Sequence, residues 1–227
     1  GATWLPPLAD AFLEHSNLDI TWVTFDRSVQ KPEVDIEKNQ RFMRIPMRSD
    51  LPVYLFKQWP NRLKLKSILK DISPDIVHVW GTEWLYAAVL QDIKKPTILS
   101  VQGCLTAFSK VWEPSWRQRI LAKAEPQRVK EANIVTCESP WSVEQIRELH
   151  PSGDIRVVDY GVHPSFYDID WSPDLDKPIL LYSGSLDRRK GLDILFDALE
   201  SIPDRKWTLQ ILGQGPLRED LEARQLP

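Results

Sequence analysis

Seven short apolar runs, each bounded by turn residues and mostly separated by segments with apolar residues at helical spacing, constrain this chain more than any other feature. They are Ile20 to Phe25, Ile76 to Trp80, Thr97 to Val101, Ile134 to Cys137, Ile155 to Val158, Ile179 to Ser183 and Trp207 to Leu212. Such runs read as buried strands, and strand–helix alternation leads to a doubly wound parallel sheet with right-handed crossovers. The fold class is therefore α/β. Helices are expected at about Thr3 to Glu14, Arg62 to Asp71, Glu83 to Gln91, Pro114 to Glu131, Pro140 to Leu149, Gly191 to Ser201 and Pro216 to Ala223. The stretch 27–48 is less regular, with Phe42 to Ile45 as a candidate strand.

The periodicity breaks at 163–178, where prolines and acidic residues follow one another, and this segment reads as an interdomain linker. It separates a first domain, 1–162, from the start of a second, 179–227. The chain opens at Gly1 directly into a helical pattern, and only two strand–helix units follow the linker. Two units are too few to cover both faces of a parallel sheet, so the expectation is an internal fragment with its first strand missing and its second domain incomplete.

The chain has 227 residues, 42% of them hydrophobic and 27% charged, which suits a soluble globular protein with a substantial core. No apolar run is long enough to span a bilayer and no charged-then-apolar leader opens the chain, so a cytoplasmic location is expected. A formal net charge of −3 argues against general nucleic-acid binding. Cys104 and Cys137 lack metal-ligand spacing and read as small buried side chains, and no metal site is expected. Two segments, Lys57 to Lys70 and Ser115 to Lys130, combine basic and apolar residues. Each reads either as a solvated helix face over a core or as a peripheral contact with an anionic membrane leaflet, here the inner face of the cytoplasmic membrane.

The last two strand–loop–helix units carry the clearest chemistry. PILLYSGSLDRRKGLDILFDAL places Arg188, Arg189 and Lys190 at a helix start, where unpaired N–H groups and the positive dipole end favour a phosphate, so three cations there point to a diphosphate. The loop is not a P-loop: Arg189 stands where the second glycine belongs, and Gly191 stands where a magnesium-binding hydroxyl would be. Gly213-Gln214-Gly215 begins like a dinucleotide fingerprint, but Arg218 occupies the place of its third glycine. An ordinary tight strand-to-helix turn accounts for that pair equally well.

With these strings on the page, the chain resembles the group 1, or family four, nucleotide-sugar glycosyltransferases. Gly1-Ala2-Thr3-Trp4 with Leu5, Leu8, Ala9 and Phe12 is similar to the glycine turn and first helix of that family. DIVHVWGTEW, ILSVQGCLTA and IVTCESPWSVEQIREL resemble its central strands and their loops, and YGVHPSFY resembles the segment leading into its second domain. SGSLDRRKGLDILFDAL and LQILGQGPLREDLE are similar to the donor-binding start of that domain. The resemblance implies two Rossmann-like domains in the GT-B arrangement and a retaining, metal-independent transferase with no cofactor. It implies a nucleotide-diphosphate sugar as donor and a glycan, lipid-linked or other hydroxyl acceptor, as in polysaccharide biosynthesis.

The resemblance also assigns roles. Lys190 corresponds to the lysine that neutralises the donor diphosphate as charge grows on the leaving group. Gly1, Gly184, Ser185, Arg188 and Arg189 would complete the diphosphate site, with Gly213 and Gly215 in the nucleotide loop. Ser185 replaces the family's arginine, so the second charge falls to Arg188 or Arg189. Gln102, followed by Gly103, replaces a histidine; it either orients the sugar or is a simple loop residue. Glu83 and Glu138 at strand ends are either sugar-hydroxyl partners or helix-start carboxylates, and His78 reads as a satisfied core histidine. The family's E-x7-E signature is absent, since no two glutamates lie eight positions apart. The alternatives are a sugar-nucleotide 2-epimerase of the same fold and a noncatalytic partner subunit.

Overall fold

The computed structural model describes residues 5–15, 17–47, 59–83, 86–111, 113–204 and 206–224. Gly1, the Thr3 start of the first expected helix and Lys57 lie outside them. The chain divides into two compact units, Gly1–His163 and Pro164–Pro227.

The centre of the first unit is a parallel sheet of β4 (Val77–Trp80), β5 (Thr97–Val101), β6 (Ile134–Cys137) and β7 (Asp154–Val157), hydrogen-bonded in that order. Strand alternation sends Val79, Leu99, Val101, Val135 and Cys137 to one face. They pack there on Ala87 and Leu90 of a 3-10 helix, Tyr86–Asp92, on Val129 of α4 (Trp116–Glu131), and on Ile146 of α5 (Pro140–Leu149). Ser115 starts α4 with a reciprocal capping box to Gln118, and Ser139 caps α5 ahead of Pro140.

Within the stretch 27–47, β2 (Glu33–Glu37) and β3 (Gln40–Pro46) form a hairpin, of which only part of β3 was expected. β3 pairs parallel with β1 (Ile20–Asp26), giving a second sheet in the order β1-β3-β2. The turn residue Lys38 takes φ +50°, where turn chemistry would call for glycine or asparagine. Ile45 of this sheet is buried against Leu65 of α2 (Trp59–Ile72) and Val89. Asn39 holds α1 (Leu5–Leu13) and the chain after it by donating to the carbonyls of Phe12, His15 and Leu18.

Other expectations are corrected. The helix expected over 83–91 is the 3-10 helix Tyr86–Asp92. An unforeseen helix, α3 (Leu105–Val111), follows β5. His78 is not a core residue: it keeps more than a third of its surface open. The two basic segments bury Leu65 and Val129 in cores, and two of their arginines are engaged, Arg62 by Asp92 at 2.7 Å and Arg128 by Glu131 at 2.9 Å. No helix among the described residues is long and apolar enough to cross a membrane.

The second unit begins with a 3-10 turn, Pro164–Phe166, and exposed irregular chain. β8 (Ile179–Ser183) then pairs parallel with β9 (Thr208–Leu212). Tyr182, Leu209 and Ile211 pack on Leu192 and Phe196 of α6 (Leu192–Glu200) and on Leu221 of α7 (Arg218–Ala223). The opposite face of this two-stranded sheet is open, with Ile179, Leu181 and Leu212 about 60% exposed.

Candidate functional site

Parallel strands end together, so the loops after them converge, and binding groups gather at their carboxyl ends. In the first unit those loops hold Gly81 to Glu83 after β4, Gln102 and Gly103 after β5, Glu138 after β6 and Asp159 to Gly161 after β7. Gly81 has φ +79°, a conformation that favours glycine. A Cβ at Gly81 would meet Glu83 Oε2 within van der Waals contact, and one at Gly103 would meet Glu83 Oε1 at 2.6 Å. The Glu83 carboxyl therefore fills the space that the two glycines leave open. Burial pushes its pKa up, and nearby Glu125 adds to the shift, while backbone N–H groups oppose it. Glu83 Oε2 is buried without a hydrogen-bond partner among the described residues.

Gln102 also lies beside Gly81, its Oε1 at 3.5 Å from a Cβ there, and it is close enough to Tyr160 to bear on that phenol's titration. Burial raises Tyr160 to about 12; the Gln102 contact opposes this, and Glu138 beside it adds to it. Four groups named from sequence thus meet at one edge of one sheet: Glu83, Gln102, Gly103 and Glu138. Sequence reasoning missed Tyr160 as a member. Its signals were its place after the last strand of the domain, two residues past Val158, and its position at the head of YGVHPSFY.

Glu125 is the other buried carboxylate, and its work is structural. From α4 it accepts hydrogen bonds from Thr82 Oγ1 at 2.6 Å, Leu105 N at 3.0 Å and Thr106 N at 2.7 Å. It supplies an acceptor to the first N–H groups of α3, where no local side chain does so.

A polar track crosses the face of the sheet turned away from the core. His78 Nε2 shares a 2.7 Å hydrogen bond with Ser100 Oγ, which shares another of 2.7 Å with Thr136 Oγ1. The His78 ring stacks on Trp80 with centroids 4.4 Å apart, and Trp80 lies 6.4 Å from Tyr160. Desolvation holds His78 down at about 4, so the imidazole is neutral at pH 7. The ring has the Trp80 indole against one face and Ser100 Oγ on its Nε2. A cavity of about 100 Å³ opens beside this track, with Trp80, Thr136, Glu138, Asp159 and Tyr160 among its lining residues. Cys104 and Cys137 are buried thiols raised to about 12 and about 11 by desolvation, which removes them as nucleophiles.

In the second unit, Arg188–Lys190 form a 3-10 turn, and Gly191, at φ +71°, is the N-cap of α6. Lys190 therefore directly precedes the cap and is exposed, as are Arg188 and Arg189. Arg189 lies 3.7 Å from Asp187, which also accepts from Ser185 Oγ at 2.7 Å. That hydroxyl bond, with Arg189 and Lys190 nearby, lowers the Asp187 pKa. Ser185 is thus occupied with the loop's own carboxylate, and Arg188 and Lys190 are the cations of this loop outside ion-pair distance among the described residues.

Gly213 and Gly215 have a packing role. A Cβ at Gly213 would overlap the Gly184 carbonyl oxygen, and one at Gly215 would press on the Leu186 backbone. Their absence lets Gly184 N reach Leu212 O at 2.9 Å and Leu186 N reach Gln214 O at 2.9 Å, so the ladder runs on past the strands into the loops. Among the described residues no three His, Cys, Asp or Glu side chains come together as a metal ion requires.

Residues 8–166 match the family described as Glycosyltransferase Family 4. No curated protein sequence matches the chain. Solved structures do. Sucrose-phosphate synthase from Thermosynechococcus elongatus superposes with a TM-score of 0.66 at 18% identity, over 93% of this chain and 57% of that one. An E. coli trehalose-6-phosphate structure bound with UDP-2-fluoro glucose gives 0.63 at 10% identity, over 99% and 64%. A UDP-forming α,α-trehalose-phosphate synthase from Burkholderia vietnamiensis gives 0.60 at 12%, over 97% and 64%. The chain thus spans about three fifths of the length of these structures, and the likeness establishes the GT-B fold.

Proposed function

This chain belongs to glycosyltransferase family 4, and from that premise we propose that the protein moves a sugar, with retention of anomeric configuration, from a nucleotide-diphosphate sugar to a hydroxyl acceptor. The observation that carries the reading is the placement of Lys190 and Arg188 immediately ahead of the α6 N-cap, exposed and outside ion pairs among the described residues. A cation opposes the dipole at a helix start, and an anion bound there offsets that repulsion. As the glycosidic bond breaks, negative charge grows on the leaving diphosphate, and fixed cations stabilise it more in the transition state than before. The reading needs neither metal nor cofactor, because Lys190 with Arg188 or Arg189 supplies the charge. Ser185 supports the loop by binding Asp187, while Gly184, Gly213 and Gly215 keep the two loops close.

The acceptor is assigned to the first unit, where Gln102, Gly103, Glu83 and Glu138 converge with Tyr160. Gln102 orients a sugar hydroxyl and carries no proton, since an amide neither ionises nor titrates. The proton of the attacking hydroxyl passes to the leaving phosphate. The acceptor is a glycan, a lipid-linked sugar or another hydroxyl compound of polysaccharide assembly at the cytoplasmic side. Peripheral membrane contact would fall to the exposed Leu63, Lys66, Trp116 and Arg117 on the two basic helices.

The test is acceptor-dependent nucleotide release by the intact protein across a panel of nucleotide sugars, with the product anomer read by NMR. Release that requires acceptor, with retained configuration, is expected. An epimerised sugar nucleotide formed without acceptor, or an inverted product, would contradict the reading.

A further inference from the structure

The cavity at the strand ends of the first unit has a chemistry that narrows the acceptor. Its wall is mostly apolar, with Trp80 and Tyr160 beside Leu8, Val101 and Val158; the hydroxyls of Ser100 and Thr136 interrupt it, and its charged members are the carboxylates Glu138 and Asp159. No lysine, arginine or histidine is among its described lining residues. We propose that this cavity is the acceptor subsite and takes an uncharged, hydroxyl-bearing sugar ring in preference to a sugar phosphate. The proposal rests on the acceptor-side reading of this unit.

An indole face is apolar and suits the C–H face of a pyranose, while the ring hydroxyls of the sugar are donors. Carboxylate oxygens accept hydrogen bonds, so Glu138 and Asp159 complement those donors. A phosphate would bring further acceptors and negative charge to a wall that already holds two carboxylates, and like charges so placed discriminate against a ligand. A volume of about 100 Å³ admits one edge of a single ring, equivalent to about three water molecules of ~30 Å³. The wall is preorganised. Ser100 is fixed between His78 and Thr136 by two 2.7 Å hydrogen bonds, and Trp80 is fixed by stacking on the His78 ring. Neutral at pH 7, His78 adds no positive charge from behind the indole.

The test uses the intact protein and titrates glucose, galactose and mannose, each against its own 6-phosphate, followed by saturation-transfer NMR. At least one neutral sugar should bind about tenfold more tightly than its phosphate, the size of effect that like-charge repulsion produces. Trp80→Ala should abolish this binding and Trp80→Phe should keep it, which separates loss of the platform from loss of the fold. The pair Glu138→Gln and Asp159→Asn should shrink the preference severalfold. Equal or tighter binding of the phosphates, or binding of none of the sugars, would overturn the proposal. A nucleoside diphosphate titrated into the same samples keeps the two readings apart: sugar preference without nucleotide binding would break the donor assignment and leave this one standing.

Discussion

The two units solve the same sheet problem to different degrees. In the first, β5 has a strand on each side, and Leu99, Val135 and Ile146 are sealed to within 1% of full burial. In the second, β8 has one partner, and Ile179 and Leu181 stand 62% exposed while Leu192 and Phe196 of α6, with Leu186 and Leu221, form the buried cluster on the other face. The consequence reaches the candidate sites. The first unit positions side chains, since Glu83, Gln102, Glu138 and Tyr160 project from strand ends locked by a packed core. The second positions backbone, since its two loops are held by glycines that let main chains touch, and its cations stand exposed on the surface.

The largest effects should come from changes that test this contrast at its core. Leu99→Ala should cost about 2 to 5 kcal/mol in urea unfolding of the first unit, because it opens a cavity in a sealed core. Leu181→Ala in the same chain should stay within about 0.5 kcal/mol, as for other surface changes. A comparable loss at Leu181 would break the comparison. Glu125→Leu should also cost about 3 kcal/mol or more, since Thr82, Leu105 and Thr106 lose their acceptor together. Circular dichroism and denaturant titration read it, and a neutral outcome would mean that α3 forms without this cap.

In the second unit, Gly213→Ala should destabilise by about 1 to 3 kcal/mol through overpacking against the Gly184 carbonyl. Hydrogen exchange at the Leu186 and Gly184 amides should report it locally, and unchanged protection would remove the packing role. A smaller effect concerns pH. His78 has its folded pKa lowered to about 4 against about 6.5 unfolded, so the unfolded state binds the extra proton between those values. Stability is full above about pH 6.5 and falls as pH drops towards about 4. His78→Gln should flatten that slope relative to the parent, and an identical slope would remove His78 as its source.

What the sequence revealed follows the same division. The strands β5 and β6 run where the apolar runs place them, because buried parallel strands are written as continuous apolar runs, and β8 does so too although one of its faces is open. The strand β2 was hidden because it is an outer strand whose apolar residues, Val34 and Ile36, face solvent, and because its turn uses Lys38 at positive φ. The helix α3 was hidden because its acceptor, Glu125, lies some twenty residues downstream. Glu83, Gln102, Gly103 and Glu138 were visible as residues after strands. Tyr160, the Trp80 wall and the His78–Ser100–Thr136 track depend on strand register, which spacing alone does not encode. The packing role of Gly213 and Gly215 likewise needs the neighbouring loop.

The central claim is that Lys190 holds a donor diphosphate at the start of α6, and calorimetry of nucleoside diphosphates with the intact protein and its Lys190→Ala variant tests it most directly. The account predicts a loss of about 1.5 to 3 kcal/mol in binding free energy, as for a charge-assisted contact, with the fold unchanged. Equal affinity in the two proteins would contradict it.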